Sequence, residues 1–329
     1  MTAGNSPLRL TDRDVGELVD ATAAFKAVER GLLAEAAGEA ETLPKSVLRF
    51  AEGANSLHML GAVSPALGLG GVKSWLHAGP VAHPVLVLFD STTARFIGTI
   101  EATSLSNLRT AALAGVATDR LAARDASEMA LIGSGKLASA MLESIATTRS
   151  LKAVRIWSPT AKNRDALADR ATRQFGLNAA AVGTPEDALD GASIVGMAAR
   201  VPQPVFEAQM IARGAHVNAI GITVSGKTEV PPHLFERCSL ICTDSVAAAR
   251  SLSDDLAAFC ATEPAWDAVM PLSRIAATSP GRKTDWDVTL YKGMGTGIAD
   301  LALAAEVLLR AKARGDAVEL PEPLAGLTL

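Results

Sequence analysis

The chain has 329 residues, a length that favours two domains over one. Apolar residues make up 49% and charged residues 20%, which excludes a disordered chain, and the net charge of -4 argues against binding to nucleic acid or anionic membranes. No apolar stretch is long enough to span a bilayer, and the N-terminus lacks the pattern of a signal peptide. The three cysteines form no paired motif and the five histidines no metal-binding pair, so we expect a cytoplasmic protein with reduced thiols and no metal.

The first third of the chain predicts a helix, a set of strands and a second helix. Residues 9–40 carry apolar side chains at helical spacing, with Thr11 as the expected N-cap. A proline-free, alanine-rich stretch over residues 106–123 predicts one long helix. Between them lie strand-like runs separated by turn residues, at 46–50, 71–75, 85–89 and 96–100.

The pattern changes near residue 128, where short apolar strands begin to alternate with helices. Such alternation predicts an α/β fold with a doubly wound parallel sheet of the Rossmann type. The expected strands lie at 128–133, 153–158, 178–182, 193–197, 215–220 and 240–243. The expected helices lie at 137–146, 162–175 and, at the C-terminal end, about 297–314. The last of these is expected to return to the first domain, because nothing else nearby would cover its apolar face.

A glycine-rich turn joins the first of these strands to the first helix. It reads Gly133-Ser134-Gly135-Lys136-Leu137-Ala138. In this G-x-G-x-x-A pattern the first glycine permits a tight turn, the second lets the backbone approach a pyrophosphate, and the alanine stays small for packing. Free N–H groups at the helix N-terminus attract phosphate. The turn therefore predicts dinucleotide binding, with a turn needed only for packing as the alternative.

The residue that ends the second strand selects between the two nicotinamide dinucleotides, because an acid there binds the ribose 2′-OH of NAD. This position is Ser158, followed by Thr160, Lys162 and Arg164. No carboxylate repels a 2′-phosphate and two cations stand close by, so the sequence favours NADP(H). The alternative is that the two cations only form the solvated start of a helix.

Three further segments carry residues typical of a substrate site. Lys73 lies in a glycine-flanked apolar strand, and Arg109 lies near a helix start beside Thr110. The segment 291–300 offers closely spaced glycines and an acid, Asp300. A lysine and an arginine from separate elements can together hold a carboxylate, although a lysine within a strand is more often an edge or surface residue.

These motifs resemble those of the ornithine cyclodeaminase/mu-crystallin family, in one order along nearly the whole chain. The matching segments are GVK (71–73), RTAA (109–112), LIGSGKLA (131–138), VRIWSPT (154–160), GAHVNAIG (214–221), GKTE (226–229) and YKGMGTGIAD (291–300). The family includes cyclodeaminases, alanine dehydrogenase-like enzymes, ketimine reductases and opine-type synthases. The resemblance implies a homodimer with an α+β substrate-binding and dimerisation domain over residues 1–124, completed by 297–329, and a Rossmann domain over residues 125–296.

Carried over position by position, the resemblance assigns the substrate carboxylate to Lys73 and Arg109. The family's third cation is an arginine that matches Lys45, with Arg49 as the substitute if the strand is shifted. A lysine keeps the charge but loses the bidentate fork. The other positions expected at the substrate are Met59 and Gly295. The positions expected at the cofactor are Thr110, Gly133, Ser134, Gly135, Lys136, Leu137, Ser158, Thr160, Arg164, Ala199, Asn218, Ile220, Lys227 and Met294.

The chain departs from the family pattern at three polar positions. Cyclodeaminases carry an aspartate four residues before the GKTE lysine, which engages the terminal amine of the substrate and handles protons. Thr223 takes this catalytic position here, and a threonine is a poor acid or base near neutral pH. Val85 and Ala199 replace two threonines of the family, which makes the expected surroundings of the nicotinamide less polar.

The intact cations and the missing aspartate favour hydride transfer between NAD(P)H and the C=N carbon of an α-imino acid. Lys73 and Arg109 would hold the carboxylate and polarise the imine, and Lys73 could deliver a proton if burial lowers its pKa. The imine is cyclic or forms from a keto acid with ammonia or an amine, and the less polar positions favour an apolar side chain or amine. Two alternatives stay open, a cyclodeaminase with another proton carrier and a low-turnover protein that binds NADP(H) and a ligand.

Overall fold

The computed structural model describes residues 6–79, 81–261, 263–315 and 318–320. The strands formed by these residues are β1 (Leu8–Leu10), β2 (Glu41–Thr42), β3 (Ser46–Phe50), β4 (Asn55–Ser64), β5 (Leu69–Ala78), β6 (Val81–Ala82), β7 (Val85–Asp90), β8 (Phe96–Glu101), β9 (Glu128–Ile132), β10 (Ala153–Trp157), β11 (Asn178–Ala181), β12 (Ile194–Met197), β13 (His216–Ala219), β14 (Cys238–Thr243), β15 (Val269–Pro271), β16 (Val288–Lys292) and β17 (Val318–Glu319). The α-helices are α1 (Asp12–Leu18), α2 (Ala21–Ala36), α3 (Thr103–Leu121), α4 (Lys136–Ala146), α5 (Ala161–Phe175), α6 (Pro185–Leu189), α7 (Pro232–Arg237), α8 (Val246–Leu252), α9 (Asp254–Phe259), α10 (Glu263–Trp266), α11 (Leu272–Thr278) and α12 (Gly297–Arg314).

The chain divides into two compact units, each with its own sheet. Unit 1 contains the chain up to Arg109 and from Thr296 onward, and unit 2 contains Thr110–Gly295. The first division falls inside α3 and the second just before α12. Among the described residues, no helix combines the length and the apolar character that crossing a bilayer requires.

The described residues of unit 1 form a sheet of nine strands, in the order β17-β1-β8-β7-β5-β4-β2, with β3 beside β4 and β6 beside β5. Its neighbours are antiparallel except for the parallel pair β1 and β8. Helix α12 packs on α2, β4 and β5, so the C-terminal helix belongs to unit 1. A Cβ at Gly297 would overlap the carbonyl of Gly61, and this close approach holds the first turn of α12 against the sheet.

The two faces of this sheet have different surroundings. Leu60, Lys73 and Leu86 lie side by side in the register of β4, β5 and β7, and all three side chains are buried on the face that α12 covers. The residues that alternate with these along each strand point to the other face of the sheet. That outer face exposes a set of large apolar side chains, which are Leu48, Met59, Val63, Leu76, Val85 and Phe89.

The prediction of one helix over residues 9–40 is wrong, although the predicted N-cap is confirmed. Thr11 caps α1 in a reciprocal capping box with Asp14. Val19 then adopts an extended conformation, and the Asp20 carboxylate accepts a hydrogen bond from the backbone N–H of Ala23 at 2.7 Å, which starts α2 as a separate helix.

In unit 2 the part of the chain that the structure describes forms a sheet of eight strands, all parallel, in the order β11-β10-β9-β12-β13-β16-β14-β15. From β9 the chain continues to β10 and β11 on one side of the sheet, and from β12 it continues to β13 on the other side. The switch point of this doubly wound sheet therefore lies between β9 and β12. The predicted α/β fold class is therefore confirmed. The six predicted strands and the helices α4 and α5 form where the sequence placed them, whereas β15 and β16 were not predicted.

Candidate active site

The first position of the G-x-G-x-x-A turn in unit 2 requires glycine, both because of its backbone conformation and because a side chain there would clash. Gly133 follows β9 with a φ of 129°, a region that favours glycine. A Cβ there would lie 2.9 Å from the backbone of Ala198 and Ala199, which follow β12. The turn therefore brings the ends of β9 and β12 into contact at the switch point.

The second glycine of the turn faces open space. Gly135 is the N-cap residue of α4, and an ideal Cβ built on it would meet no heavy atom within 4 Å. The helix start has no side-chain cap, and Ala138 in its first turn is fully buried against the sheet. Ser134, Lys136 and Leu137 belong to the same turn. Uncapped N–H groups beside open space fit the pyrophosphate of a dinucleotide.

The end of β10 carries a hydroxyl where an acid would select NAD. Ser158 Oγ accepts a hydrogen bond from Ser134 Oγ at 2.7 Å and donates one to the carbonyl of Thr160 at 3.2 Å. Arg164 Nη1 donates to the Ser158 carbonyl at 2.8 Å. Thr160 and Lys162 at the start of α5 are solvent-exposed, and the Arg164 guanidinium contacts the end of this strand.

The carboxyl ends of four neighbouring strands meet at one edge of the unit 2 sheet. Gly133 contacts Ala199, and a Cβ at Gly221 would overlap the Ala199 carbonyl. On the next strand, a Cβ at Gly293 would lie 2.9 Å from Ile220 Cγ2. The structure thus gathers the predicted residues Ala199 and Ile220 at the same edge as the glycine turn.

The loop after β16 is held by an acid that the sequence did not reveal. Asp244, directly after β14, accepts hydrogen bonds from the backbone N–H groups of Met294 at 2.7 Å and Gly295 at 2.9 Å. Met294 is buried, and Gly295 has a φ of 92°. An acid at a strand end is the only local signal, because this contact depends on β14 and β16 being neighbours.

A second buried network holds the loop that follows β13. Lys292 Nζ pairs with Glu229 Oε1 and donates to the Ile222 carbonyl at 2.9 Å. Glu229 Oε2 accepts from the Gly221 N–H at 2.9 Å, and burial raises the pKa of this carboxyl. Further along the same loop, Thr223 is half-buried and Lys227 is exposed.

One of the predicted cofactor residues, Asn218, points into the interior of unit 2. Asn218 is fully buried inside the sheet, where its amide bonds His216 at 3.3 Å and Thr118 at 2.9 Å. Thr110 is half-buried on α3. The role of Asn218 seen here is to join β13 to α3, and its predicted contact with the cofactor stays a prediction.

In unit 1, Lys73 lies in a buried ion pair. Its side chain is 2% exposed, and Nζ donates to Asp300 Oδ1 at 2.6 Å and to Ser106 Oγ at 3.1 Å. Burial and the charge of Arg109 lower the pKa of Lys73 to about 7, although Asp300 acts in the opposite direction.

Arg109 shares the same carboxylate oxygen. Its Nε donates to Asp300 Oδ1 at 3.1 Å, and this is its one hydrogen bond to the described residues. The two terminal nitrogens of the guanidinium therefore keep their N–H groups for another acceptor. Asp300 Oδ2 is buried and makes no hydrogen bond within the described part of the chain.

A strip of cationic and aromatic side chains continues from Lys73 on the same face of the sheet. We call Lys45, His58, Trp75 and His77 the Trp75 strip. The His58 and Trp75 rings stack with centroids 4.8 Å apart, and His77 meets His58 edge-on at 5.3 Å. Lys73 Nζ lies 5.4 Å and Lys45 Nζ 5.9 Å from the centroid of the Trp75 ring.

Met59 and Val85, which the sequence analysis expected near the substrate or the nicotinamide, lie on the opposite face of the sheet from Lys73. Met59 is paired with Ser74 in the register, and Ser74 with Val85, so these residues lie on the outer face, opposite to Lys73. Within unit 1, Met59 is therefore not brought together with Lys73. The inference of an apolar substrate side chain from Val85 loses its basis for the same reason.

The fold and the glycine turn define a class of protein. A doubly wound parallel sheet with this turn at its switch point is typical of oxidoreductases that use a nicotinamide dinucleotide. The model of the ornithine cyclodeaminase/mu-crystallin family matches residues 6–315, and the chain belongs to this family.

Several known proteins are similar to the chain. The Delta(1)-pyrroline-2-carboxylate reductase of Bacillus cereus (strain ZK / E33L) is 26% identical over 70% of this chain and 72% of the relative. The iminosuccinate reductase of Paracoccus denitrificans (strain Pd 1222) is 28% identical over 95% of this chain and 99% of the relative. A crystal structure of the iminosuccinate reductase of Paracoccus denitrificans in complex with NAD+ matches with a TM-score of 0.88 and 25% identity, covering 96% of this chain and 99% of that one.

Both names describe reductases of compounds that contain a C=N bond. The family, the fold class and the oxidoreductase class predicted from the sequence are confirmed by these matches.

Proposed function

We propose that this protein reduces the C=N bond of an α-imino acid with NAD(P)H, and that Lys73 and Arg109 bind the substrate carboxylate. The observation that carries the proposal is the pair of cations on one oxygen of Asp300. When Lys73 is protonated, two cations face one acid, and the excess positive charge attracts a further carboxylate. The names of the two reductases also support a C=N substrate.

Arg109 is the proposed anchor for that carboxylate. Its Nε is engaged by Asp300, which orients the planar guanidinium. The terminal N–H groups then point as a fork, the geometry that binds a carboxylate through two parallel hydrogen bonds. Holding the imino acid by its carboxylate positions the neighbouring C=N bond for reaction.

Lys73 is the proposed proton donor. In the reduction the C=N π bond opens, a hydride forms the new C–H bond, and the nitrogen takes up a proton. A nicotinamide supplies the hydride when it is bound. A lysine with a pKa of about 7 exchanges protons near neutral pH, and Asp300 and Ser106 hold its Nζ in place.

NADP(H) is the proposed cofactor. The hydroxyl of Ser158 and the nearby Arg164 support this choice, because they leave the end of β10 without an acid and with a cation beside it. Measuring kcat/KM for NADPH and NADH tests it. A clear preference for NADPH that Ser158→Asp reverses supports it, and a preference for NADH in the unaltered protein refutes it.

We also propose that the protein forms a homodimer through the outer face of the unit 1 sheet. This face exposes apolar side chains from β3, β4, β5 and β7, and contiguous exposed apolar surface is typical of an interface between subunits.

The test of the reaction uses a cyclic imine with a carboxylate, 1-pyrroline-2-carboxylate. We expect one NADPH oxidised for each proline formed. No oxidation of NADPH or of NADH with any cyclic or acyclic imino acid would refute the proposal. Conversion of ornithine to proline and ammonia with only catalytic amounts of cofactor would instead identify a cyclodeaminase, and would show that Thr223 does not exclude that reaction.

A further inference from the structure

We infer that the buried ion pair of Lys292 and Glu229 fixes the loop after β13 in the conformation that binds the dinucleotide, which makes both side chains positioning residues for the cofactor. We call residues 221–230 the β13 loop. The inference rests on the nicotinamide dinucleotide of the proposed function, and it is independent of which imino acid is reduced.

The β13 loop lies at the edge of the sheet where a dinucleotide binds, outside the carboxyl ends of the strands at the switch point. Gly221 begins the loop, and a Cβ on it would overlap the carbonyl of Ala199. Ala199 in turn lies 2.9 Å from the Cβ position of Gly133 in the glycine turn. Near the other end of the loop, the N–H of Thr228 donates to the carbonyl of Pro202 at 3.2 Å. The loop therefore borders the segment that follows β12 at both of its ends.

Lys292 and Glu229 close the base of the β13 loop. Lys292 Nζ, at the end of β16, pairs with Glu229 Oε1 and donates to the carbonyl of Ile222 at 2.9 Å. Glu229 Oε2 accepts a hydrogen bond from the N–H of Gly221 at 2.9 Å. The side chains of Lys292 and Glu229 are 0% and 1% exposed. The pair thus joins the first two residues of the loop to its end and to the neighbouring strand.

A second buried acid holds the backbone around Glu229. Asp255, in the first turn of α9, accepts hydrogen bonds at Oδ2 from the N–H groups of Glu229 and Val230, both at 3.2 Å. The N–H of Leu256 donates to its Oδ1 at 2.9 Å. Asp255 Oδ2 lies 3.8 Å from Lys292 Nζ, farther than a hydrogen bond. Backbone N–H groups therefore stabilise the Asp255 carboxylate, whereas Glu229 is the acid in direct contact with the ammonium.

The middle of the β13 loop is more open than its ends. Ile222, Glu229 and Val230 are buried, whereas residues 223–225 are half-buried and residues 226–227 are exposed. An open segment buries little surface of its own, so it opens locally at low free energy unless its ends are held. The conformation of this segment is therefore expected to depend on the ion pair at the base.

The choice of an ion pair also favours a positioning role. A buried ion pair is weak evidence for stability, because apolar side chains of the same volume often stabilise a protein as well or better. Apolar side chains cannot supply the directed bonds that Lys292 makes to the Ile222 carbonyl and Glu229 makes to the Gly221 N–H. These bonds fix the path on which the chain leaves β13.

The experiment measures the loop and the cofactor separately. Glu229→Gln keeps the shape of the side chain and removes its charge, and Lys292→Met keeps the length and removes the ammonium. The Kd for NADPH and for NADH is measured by calorimetry at a temperature where circular dichroism shows each variant folded. Trypsin cleavage after Lys227, which is exposed in the middle of the loop, is followed by mass spectrometry without cofactor.

We expect each single variant to raise the Kd of the better-bound dinucleotide by about tenfold or more, because a hydrogen bond to a charged group is lost in the interior. Cleavage after Lys227 should be faster by a similar factor. The double variant Glu229→Gln/Lys292→Met should bind no more weakly than the weaker single variant, since the two residues act as one unit.

Arg149→Met is the matched control. Arg149 is also a buried cation of unit 2, paired with Asp119 at 3.1 Å, but it precedes β10 and so lies towards the amino ends of the strands. Its loss should lower the unfolding temperature, and it should change neither the Kd of the folded protein nor the cleavage after Lys227.

A Kd within about twofold of the unaltered protein in Glu229→Gln would overturn the inference, whether or not Lys292→Met folds. So would a raised Kd without faster cleavage, and so would an equal rise of the Kd in Arg149→Met. Failure of the unaltered protein to bind either dinucleotide would overturn the cofactor of the proposed function and this inference with it. Tight binding without reduction of any imine would refute the proposed reaction alone.

Discussion

Lys73 and Asp300 form an ion pair of 2.6 Å between β5 and the first turn of α12, and each side chain is 2% exposed. A buried charge is costly unless it is paired, so this contact holds the lysine on the inner face of the sheet. The pKa of Lys73 is nevertheless lowered, because burial and the charge of Arg109 together outweigh Asp300. The pair therefore positions an amine that can gain and lose a proton near pH 7.

The first prediction concerns pH. Lys73 is protonated below its pKa of about 7 and neutral above it. Because imine reduction uses the protonated form, kcat/KM should fall by about tenfold for each pH unit above that value. In the reverse reaction, amino acid oxidation, the neutral lysine is the active form, so kcat/KM should instead fall as the pH drops below that pKa. Lys73→Arg, whose guanidinium stays charged, should lack the falling limb near pH 7. If the falling limb persists in Lys73→Arg, the group that titrates near pH 7 belongs to the substrate and not to Lys73.

The second prediction concerns Asp300 as a positioning residue. Asp300 raises the pKa of Lys73, so Asp300→Asn should lower that pKa further. The falling limb of the reduction profile should then move to lower pH by about one unit or more. A profile that drops equally at all pH values without moving would show that Asp300 has only a structural role.

The third prediction uses the two glycines of the turn as a matched pair. Gly133→Ala forces a Cβ to 2.9 Å from the backbone of Ala198 and Ala199, so thermal unfolding without cofactor should show a loss of about 1–3 kcal/mol. Gly135→Ala meets no atom within 4 Å and only replaces an N-cap glycine by alanine, so its loss of stability should be smaller, about 0.5 kcal/mol. Its Kd for NADPH should rise by about tenfold, since the methyl group takes space proposed for the pyrophosphate. Unchanged binding would place the pyrophosphate elsewhere.

The fourth prediction concerns the outer face of unit 1. Met59 and Val63 are 47% and 49% exposed, so replacing both with lysine costs the unit little stability. We expect the double variant to sediment as a monomer where the unaltered protein sediments as a dimer. Leu309→Lys, at a 65% exposed position of α12, is the control and should stay dimeric. A dimer that survives the double substitution would rule out this face.

Local signals predicted the doubly wound sheet well. The glycine turn, the helix that follows it and the bounds of α12 are set by residues close in the chain, such as Gly135 at the start of α4 and Gly315 after α12. The break before Asp20 was missed, because helical spacing of apolar residues continues across it. Strand β4 was missed as well, since its glycine, serine and histidine interrupt the apolar alternation.

The candidate site could be predicted only in part. Lys73 and Arg109 were singled out from their sequence segments and assigned to the substrate carboxylate by the family resemblance, but their shared bond to Asp300 joins residues far apart in sequence. The Trp75 strip depends on the pairing of β4 with β5, which composition and spacing do not reveal. The pairing of β7 with β5 decides that Val85 faces outward, so the chemistry of this residue could not be judged from sequence alone.

The most direct test of the central claim is the KM for an imino acid in Arg109→Lys. Lysine keeps the charge but lacks the fork, so we expect KM for 1-pyrroline-2-carboxylate to rise by about tenfold or more, with a smaller effect on kcat. The Kd for NADPH should stay the same. An unchanged KM, with NADPH still oxidised, would contradict the assignment of the substrate carboxylate to Arg109.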